Sequence, residues 1–476
     1  MKRLLVLSIA AVVWSVAAGS SFLCAQSATP VQTVKGPDKR FKTDILVVVA
    51  HPDDEGGVTP YLARAIYDEH KRVAVVFATR GGSGGNDYSR EHGPALADVR
   101  EQEARTACAK LGITNVWFLE GKDTASQNVL NSLANWGHGA NLEALVRIVR
   151  LTRPEVVITW LPGIFIGENH GDHQAAGVLA TEAFDLANDP TAFPAQVAGA
   201  TKRLEVYLEN LTPWQPKKLY YFSDADDQKQ LAGTGPAYSI REVSPSQKKP
   251  YWRLAIEAAT PHLTQFPDVQ QFQKMNEEQF NKFFEDPKNM FWPEPMTLTL
   301  GKSFVKGEIA GDVFQGIATK SPLHTESKCK SQEFTDPIDP ILSASLTLAG
   351  PWGFYEQFNQ KHCVRAPKPK SSEVVIKSGA NFYIPLTVTN NMHKPIELKI
   401  ETTLPADWKV VQGVGTFSLS EETSTDLLVE IFTPELSKQQ LAMLVPQDVV
   451  VRASVGGLFA GKVSLKVQLK PSALPQ

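Results

Sequence analysis

DILVVVAHPDDEGG, Asp44 to Gly57, decides how the rest of the chain is read. An apolar run ends at Ala50, and His51, Pro52 and the carboxylates Asp53, Asp54 and Glu55 follow at once. A short run that is apolar at every position and bounded by turn residues reads as a strand buried on both faces. Units of the same kind follow. Arg72–Thr79, Asn115–Glu120 and Glu155–Trp160 read as further strands. Tyr61–His70, Ala95–Gly112, Asn141–Pro154 and His173–Ala187 read as the helices between them. Alternating strands and helices of this type predict an α/β fold, a Rossmann-like and mostly parallel sheet with helices on both faces. In such a sheet ligands bind outside the carboxyl ends of the strands. The polar residues after Ala50 therefore stand where a site belongs.

Pro52 biases His51 toward extended geometry. An imidazole and a carboxylate converging from one short loop make half of a zinc site, and catalytic zinc usually takes three protein ligands. The other half is expected at another strand end. EVVITWLPGIFIGENHGDHQAAG supplies His170, Asp172 and His173 after a strand and at the start of a helix. Either cluster alone reads equally well as a helix N-cap. Together, in topologically matched places, they predict a metal centre. The other histidines, His70, His92, His138, His262, His324, His362 and His393, have no such neighbours in sequence and are read as surface or locally bonded residues.

AHPDDE followed by HGDH resembles the PIG-L (LmbE-like) family of zinc-dependent N-acetylglucosaminyl deacetylases. VREQEARTACAKLGI is similar to that family's Arg-x-x-Glu helix, ATRGGSGG to its glycine-containing loop, and PWQPKKLYYF to its closing strand. The resemblance runs from about Asp44 to Phe222. It implies a hydrolase that acts on a linear amide, removing an N-acetyl group from an N-acetylglucosamine-type sugar or glycoconjugate. It implies His51, Asp54 and His173 as ligands of Zn2+ or of another divalent cation such as Fe2+. Asp53 would be the general base, His170 the residue that polarises the carbonyl and stabilises the oxyanion or donates a proton, and Asp172 the group that orients and charges His170. Arg100 matches a substrate-contacting position. Arg80, on the glycine loop, is a second candidate contact. Glu55 is expected either behind the metal ligands or as a first-turn acid facing a helix dipole. Two other readings stay open: a metal-dependent amidase on a non-sugar acylated amine, and an inactive binding protein whose C-terminal domain carries the function.

The chain has 476 residues, enough for two or three domains. Residues 1–25 read as a signal peptide, with Lys2 and Arg3 before an apolar run of roughly 15 residues, short of the roughly 20 that span a bilayer. The expected location is periplasmic or extracellular, with membrane anchoring through the N-terminus as the alternative. No transmembrane span is expected in the mature chain. Residues 40–300 are assigned to the deacetylase-like domain and 301–365 to an irregular connector. Pro267–Pro287 reads as helical within the former. VRAPKPKSS has linker composition, and residues 373–472 alternate like strands of an immunoglobulin-like antiparallel β-sandwich. Trp408 is read as a core residue of that sandwich rather than a sugar platform. A net charge of −3 with mixed signs excludes electrostatic nucleic-acid binding and leaves a small molecule or glycan as the partner. Oligomeric state is not readable. Four cysteines exclude a disulfide scaffold; Cys108 is expected as a buried thiol, and Cys329 with Cys363 as a candidate pair.

Overall fold

The computed structural model describes residues 37–125, 128–163, 170–199, 208–223, 231–266, 269–317, 343–365 and 373–471. The expected signal peptide and Cys329 lie outside them. Strand β1 (Ile45–Val49) is buried at all five positions. It is followed by α1 (Thr59–Tyr67), β2 (Val73–Thr79), α2 (Pro94–Lys110), β3 (Asn115–Gly121), α3 (Val129–Trp136), α4 (His138–Thr152), β4 (Val156–Trp160), α5 (Gly171–Leu186) and β5 (Lys218–Phe222). Then come the two-residue strand β6 (Ala237–Tyr238), α6 (Tyr251–Ala259), α7 (Val269–Lys274), α8 (Glu277–Glu285), β7 (Met296–Thr297) and β8 (Thr299–Ser303). Pro267–Pro287 is thus two helices rather than one. Asn276 interrupts it because its side chain caps the Gln279 amide and starts α8 afresh.

The main sheet has the order β3-β2-β1-β4-β5-β8. The first five strands are parallel, and β8 closes the edge antiparallel to β5. The chain steps from β1 outward through β2 to β3, then returns to the other side of β1 with β4. Strands β1 and β4 therefore flank the switch point, where neighbouring loops diverge and leave a crevice. The strands are apolar throughout because helices cover both faces. Burying each such aliphatic side chain stabilises the fold by roughly 1.5–3 kcal/mol.

A second core lies in two smaller sheets. One runs β10-β17-β16-β12-β14 and the other β13-β15-β11-β9. Their strands are β9 (Ala344–Leu348), β10 (Glu373–Lys377), β11 (Asn381–Asn390), β12 (Ile396–Thr403), β13 (Lys409–Gln412), β14 (Gly415–Leu419), β15 (Ser424–Phe432), β16 (Gln447–Val455) and β17 (Leu458–Lys470). Alternate residues of β11 and β17 point inward, as a two-sheet sandwich requires. Pairing is antiparallel except at one edge, where β10 runs parallel to β17. Trp408 packs in this core.

The described residues of 301–365 do not form the irregular connector that their composition predicts. Strand β8 completes the main sheet, and β9 joins the sandwich by pairing with β11. Helix α9 (Gly350–His362) then returns to the α/β body, where Tyr355 and Phe358 enter its core. The Tyr355 hydroxyl donates to Gln174 Oε1 at 2.8 Å, and His362 Nδ1 meets Asp185 at 2.7 Å, both on α5. Cys108 is a buried free thiol. Cys363, just past α9, is in a disulfide.

Candidate metal and catalytic site

The residues of both motifs follow the carboxyl ends of parallel strands. His51, Asp53, Asp54 and Glu55 follow β1. The loop Thr79–Gly93 follows β2, Asp123 follows β3, and His170, Asp172 and His173 open α5 after β4. The topology brings together the two motifs that lie more than a hundred positions apart in the chain.

Asp54 is held by one oxygen and presents the other. Its Oδ2 accepts from the Ala50 amide at 2.9 Å, the His51 amide at 2.8 Å and Trp160 Nε1 at 3.0 Å. Its Oδ1 lies 3.1 Å from His173 Nε2. His173 Nε2 is also 3.1 Å from His51 Nδ1, and His51 Nδ1 is 3.6 Å from Asp54 Oδ2. Ligands about 2.0–2.1 Å from a tetrahedral ion stand about 3.3 Å from one another. Two imidazole nitrogens and a carboxylate at these separations fit a divalent cation. Burial alone would raise the Asp54 pKa, but the His173 and His51 rings outweigh it and hold the carboxyl well below the ordinary range.

The far side of His51 is clamped. Its Nε2 lies 3.1 Å from Asp123 Oδ1 and 3.4 Å from Asp172 Oδ2. Two carboxylates at Nε2 place the ring proton there and leave the Nδ1 lone pair for the cation. Burial opposes the charge on His51, yet Asp54, Asp123 and Asp172 raise its pKa well above normal. Cation binding would therefore release a proton from this ring. Asp123 is the site residue that the sequence reading misses. Applying the strand-end rule to β3, as it is applied to β1 and β4, would find it.

Asp53 adopts φ 118° and ψ −22°, a backbone conformation that L-residues rarely hold. Burial first, and then the charge of Asp54, push its carboxyl up to about 7. Glu55 stands behind it. Glu55 Oε2 accepts from the Asp53 amide at 3.1 Å, and Oε1 meets His262 Nε2 at 2.7 Å. His262 is therefore a buried partner of the site, not the surface or locally bonded residue expected from its sequence context. Burial lowers its pKa, but Glu55 more than offsets this and raises it.

His170 is the N-cap of α5, and its Nδ1 accepts from the Asp172 amide at 3.3 Å. That bond assigns the proton of the neutral ring to Nε2. Burial, then the neighbouring His51 and His173, lower its pKa. A helix N-terminus acts in the same direction. The Asp172 carboxylate pushes the other way, toward the charged His170 that the resemblance implies, but does not offset burial and the two imidazoles. Asp172 reaches His170 through its main chain. Its carboxylate instead accepts from the Thr124 amide and hydroxyl, each at 3.0 Å, and faces His51.

The two arginines differ. Arg100 is buried on α2 and donates to Gly81 O at 2.7 Å and Gly85 O at 2.6 Å. Gly81 has φ +70°, and a Cβ at Gly84 would overlap the Arg100 guanidinium. The glycines of GGSGG thus let the loop wrap an arginine. One turn on, Glu103 accepts from the Thr264 amide at 3.0 Å and its hydroxyl at 2.6 Å. The Arg-x-x-Glu pair is a two-loop clamp. Arg80 is directed away from the crevice, to Asp98 and, at 2.8 Å, to Glu101 on the outside of α2.

The chain is similar to several known proteins. Residues 46–184 match the family PIG-L: GlcNAc-PI de-N-acetylase. A 1D-myo-inositol 2-acetamido-2-deoxy-alpha-D-glucopyranoside deacetylase 1 of Frankia alni is 35% identical over 188 residues, 36% of this chain and 59% of the relative. A deacetylase of the same description from Thermobifida fusca is 25% identical over 255 residues, 46% of this chain and 82% of the relative. The chain thus spans less than two thirds of the Frankia protein it matches. Among solved structures, the N,N'-diacetylchitobiose deacetylase of Pyrococcus horikoshii is similar at 17% identity and a TM-score of 0.36, covering 54% of this chain and 83% of that one.

Proposed function

Because residues 46–184 form a domain of the PIG-L family, we propose that the protein is a divalent-metal-dependent deacetylase. It removes the N-acetyl group from an N-acetylglucosamine-type sugar or glycoconjugate. The observation that carries this reading is that His173 Nε2 lies 3.1 Å from both His51 Nδ1 and Asp54 Oδ1. The names of the relatives from Frankia alni and Thermobifida fusca support the sugar.

His51, Asp54 and His173 would hold the cation. When bound, the cation supplies a Lewis acid and a coordinated water whose pKa falls to about 7. Asp53 takes the proton as water attacks the acetamide carbon. Its φ of 118° aims the side chain from the same loop that aims Asp54 at the cation. Neutral His170 donates its Nε2–H to the oxyanion of the tetrahedral intermediate. That donor needs no proton from solvent, since Nδ1 is committed to the Asp172 amide. Asp123 and Asp172 keep the His51 tautomer. Collapse of the intermediate needs a proton on the leaving amine, and Asp53 now carries one. Arg100 acts through the glycine loop it holds.

Zinc is the metal we assign. Two imidazoles and a carboxylate also suit Fe2+, so elemental analysis of the isolated protein decides between them. No described helix is long and apolar enough to cross a membrane. We propose export to the periplasm or the medium from the basic and apolar N-terminal run.

The test is acetate release from N-acetylglucosaminyl-inositol and from diacetylchitobiose by the zinc-loaded protein. Turnover that disappears with a chelator and returns with zinc is the expected result. A zinc-loaded protein that releases no acetate from any N-acetylated sugar would end the sugar reading.

A further inference from the structure

The Asp53 backbone is strained. A non-glycine residue at φ 118° costs of order 1–3 kcal/mol and persists only where its surroundings over-determine it. Within the loop, Gly56 N donates to Asp53 O at 2.8 Å and Asp54 N to His51 O at 3.2 Å, and the Ala50 and His51 amides hold Asp54 Oδ2, but none of these bonds takes the Asp53 amide. The remaining restraints come from elsewhere. Glu55 Oε2 takes the Asp53 amide, and Glu55 Oε1 is fixed by His262 Nε2 at 2.7 Å. Gln265, three residues on, donates to Pro52 O. The segment that carries both is anchored in turn. Thr264 bonds Glu103 on α2 through its amide and hydroxyl, and its carbonyl accepts from the Asp87 amide at 3.3 Å. The side chains of His262 and Glu55 are only 2% and 5% exposed, so water does not compete for the bond between them.

We propose that His262 is a positioning residue for turnover, holding Glu55 so that Glu55 locks the Asp53 peptide in the orientation a base requires. His262 lies outside residues 46–184, so the restraint is supplied by a part of the chain beyond the matched domain. Chain connectivity supports the order of action. Asp54 is secured by Ala50, His51 and Trp160, none of which depends on His262. Removing His262 should thus free Asp53 and leave the metal ligands in place. The inference rests on the reading of Asp53 as the base.

Two variants test it. His262→Phe keeps the packed volume and removes the donor; His262→Gln keeps a donor to Glu55. With N-acetylglucosaminyl-inositol and diacetylchitobiose as probes, H262F is expected to lose at least about 10-fold and up to about 100-fold in kcat, the penalty of a misplaced group. KM and zinc affinity should stay near wild type, and H262Q should recover most of kcat. Crystal structures give a readout that does not depend on activity: Asp53 should relax to negative φ in H262F and keep positive φ in H262Q. H262F with wild-type kcat and positive φ would overturn the proposal. So would H262Q no better than H262F, a loss of zinc that parallels the loss of turnover, or an H262F that no longer folds. If wild type releases no acetate from these probes or from any other N-acetylated sugar, the sugar reading fails. The φ of Asp53 in the two variants still decides whether His262 positions it.

Discussion

The Trp160 indole lies flat against the His173 imidazole, with ring centroids 4.4 Å apart and planes 3° from parallel. The same indole donates to Asp54 Oδ2 at 3.0 Å. One side chain at the end of β4 thus touches a proposed ligand from each motif. Groups that orient ligands typically change metal affinity by about 10–100-fold when removed. Trp160→Phe keeps an aromatic face but no N–H, and zinc affinity should fall within that range. Competition against a chromophoric chelator measures it. Unchanged affinity would mean that the Ala50 and His51 amides suffice to hold Asp54.

The adjacent carboxylates should separate cleanly. Asp54→Asn replaces the oxygen that faces His173 and should weaken zinc binding. Asp53→Asn should keep zinc and lower kcat by about 10²–10⁴-fold, the usual contribution of a general base. Metal content and acetate release, measured on the same preparations, check both. Similar behaviour of the two variants would undo the division of roles.

Asp53 also makes a prediction about stability in the metal-free protein. Its folded pKa of about 7 lies above the ordinary value of 3.8. Between these values the folded state holds a proton that the unfolded state has released. Stability attributable to this group therefore falls as pH rises from about 4 to about 7 and stays low above it. Asp54 acts oppositely. Its depressed pKa contributes stability that is present above about 4 and lost only in stronger acid. Asp53→Asn should therefore raise the Tm of chelator-treated protein, and raise it more at pH 8 than at pH 5. Equal shifts at both pH values would contradict the raised pKa. Bound zinc would lower the Asp53 pKa and shrink the effect.

Arg100 and Arg80 should behave as opposites although both are basic residues of the same region. Arg100→Ala leaves two loop carbonyls without their charged donor and should cost about 2–4 kcal/mol, read by urea unfolding. Proteolysis within Thr79–Gly93 should accelerate with it. Arg80→Ala removes exposed pairs with Asp98 and Glu101, for which about 0–1 kcal/mol is typical, and should leave zinc and turnover alone. An Arg80→Ala variant that lost turnover would place Arg80 on the substrate.

The parallel sheet, its helices and the strand-end position of both metal motifs are legible in the chain, because they depend on short-range patterns. A run such as Ile45–Val49 has to be buried on both faces, and the polar residues after it have to lie at the sheet's edge. His51, Asp54 and His173 converge for that reason alone. Other parts were illegible because their partners are distant in sequence. Nothing local marks His262 as the partner of Glu55, 207 residues away. Nor does composition show that 301–365 contributes a strand to each of two sheets. The direction in which the His170 pKa moves was illegible for a similar reason: it depends on burial, on two neighbouring imidazoles and on nearby carboxylates. Asp123 is intermediate, found by topology once β3 is placed in the sheet. The sequence by itself determined which strand ends carry the donors, since periodicity and turn residues are local properties. Only the tertiary structure decided which Asp54 oxygen faces His173, which way burial and charge push each imidazole, and which groups surround the strained Asp53 peptide. Those outcomes depend on hydrogen bonds and fields between segments that the chain keeps far apart.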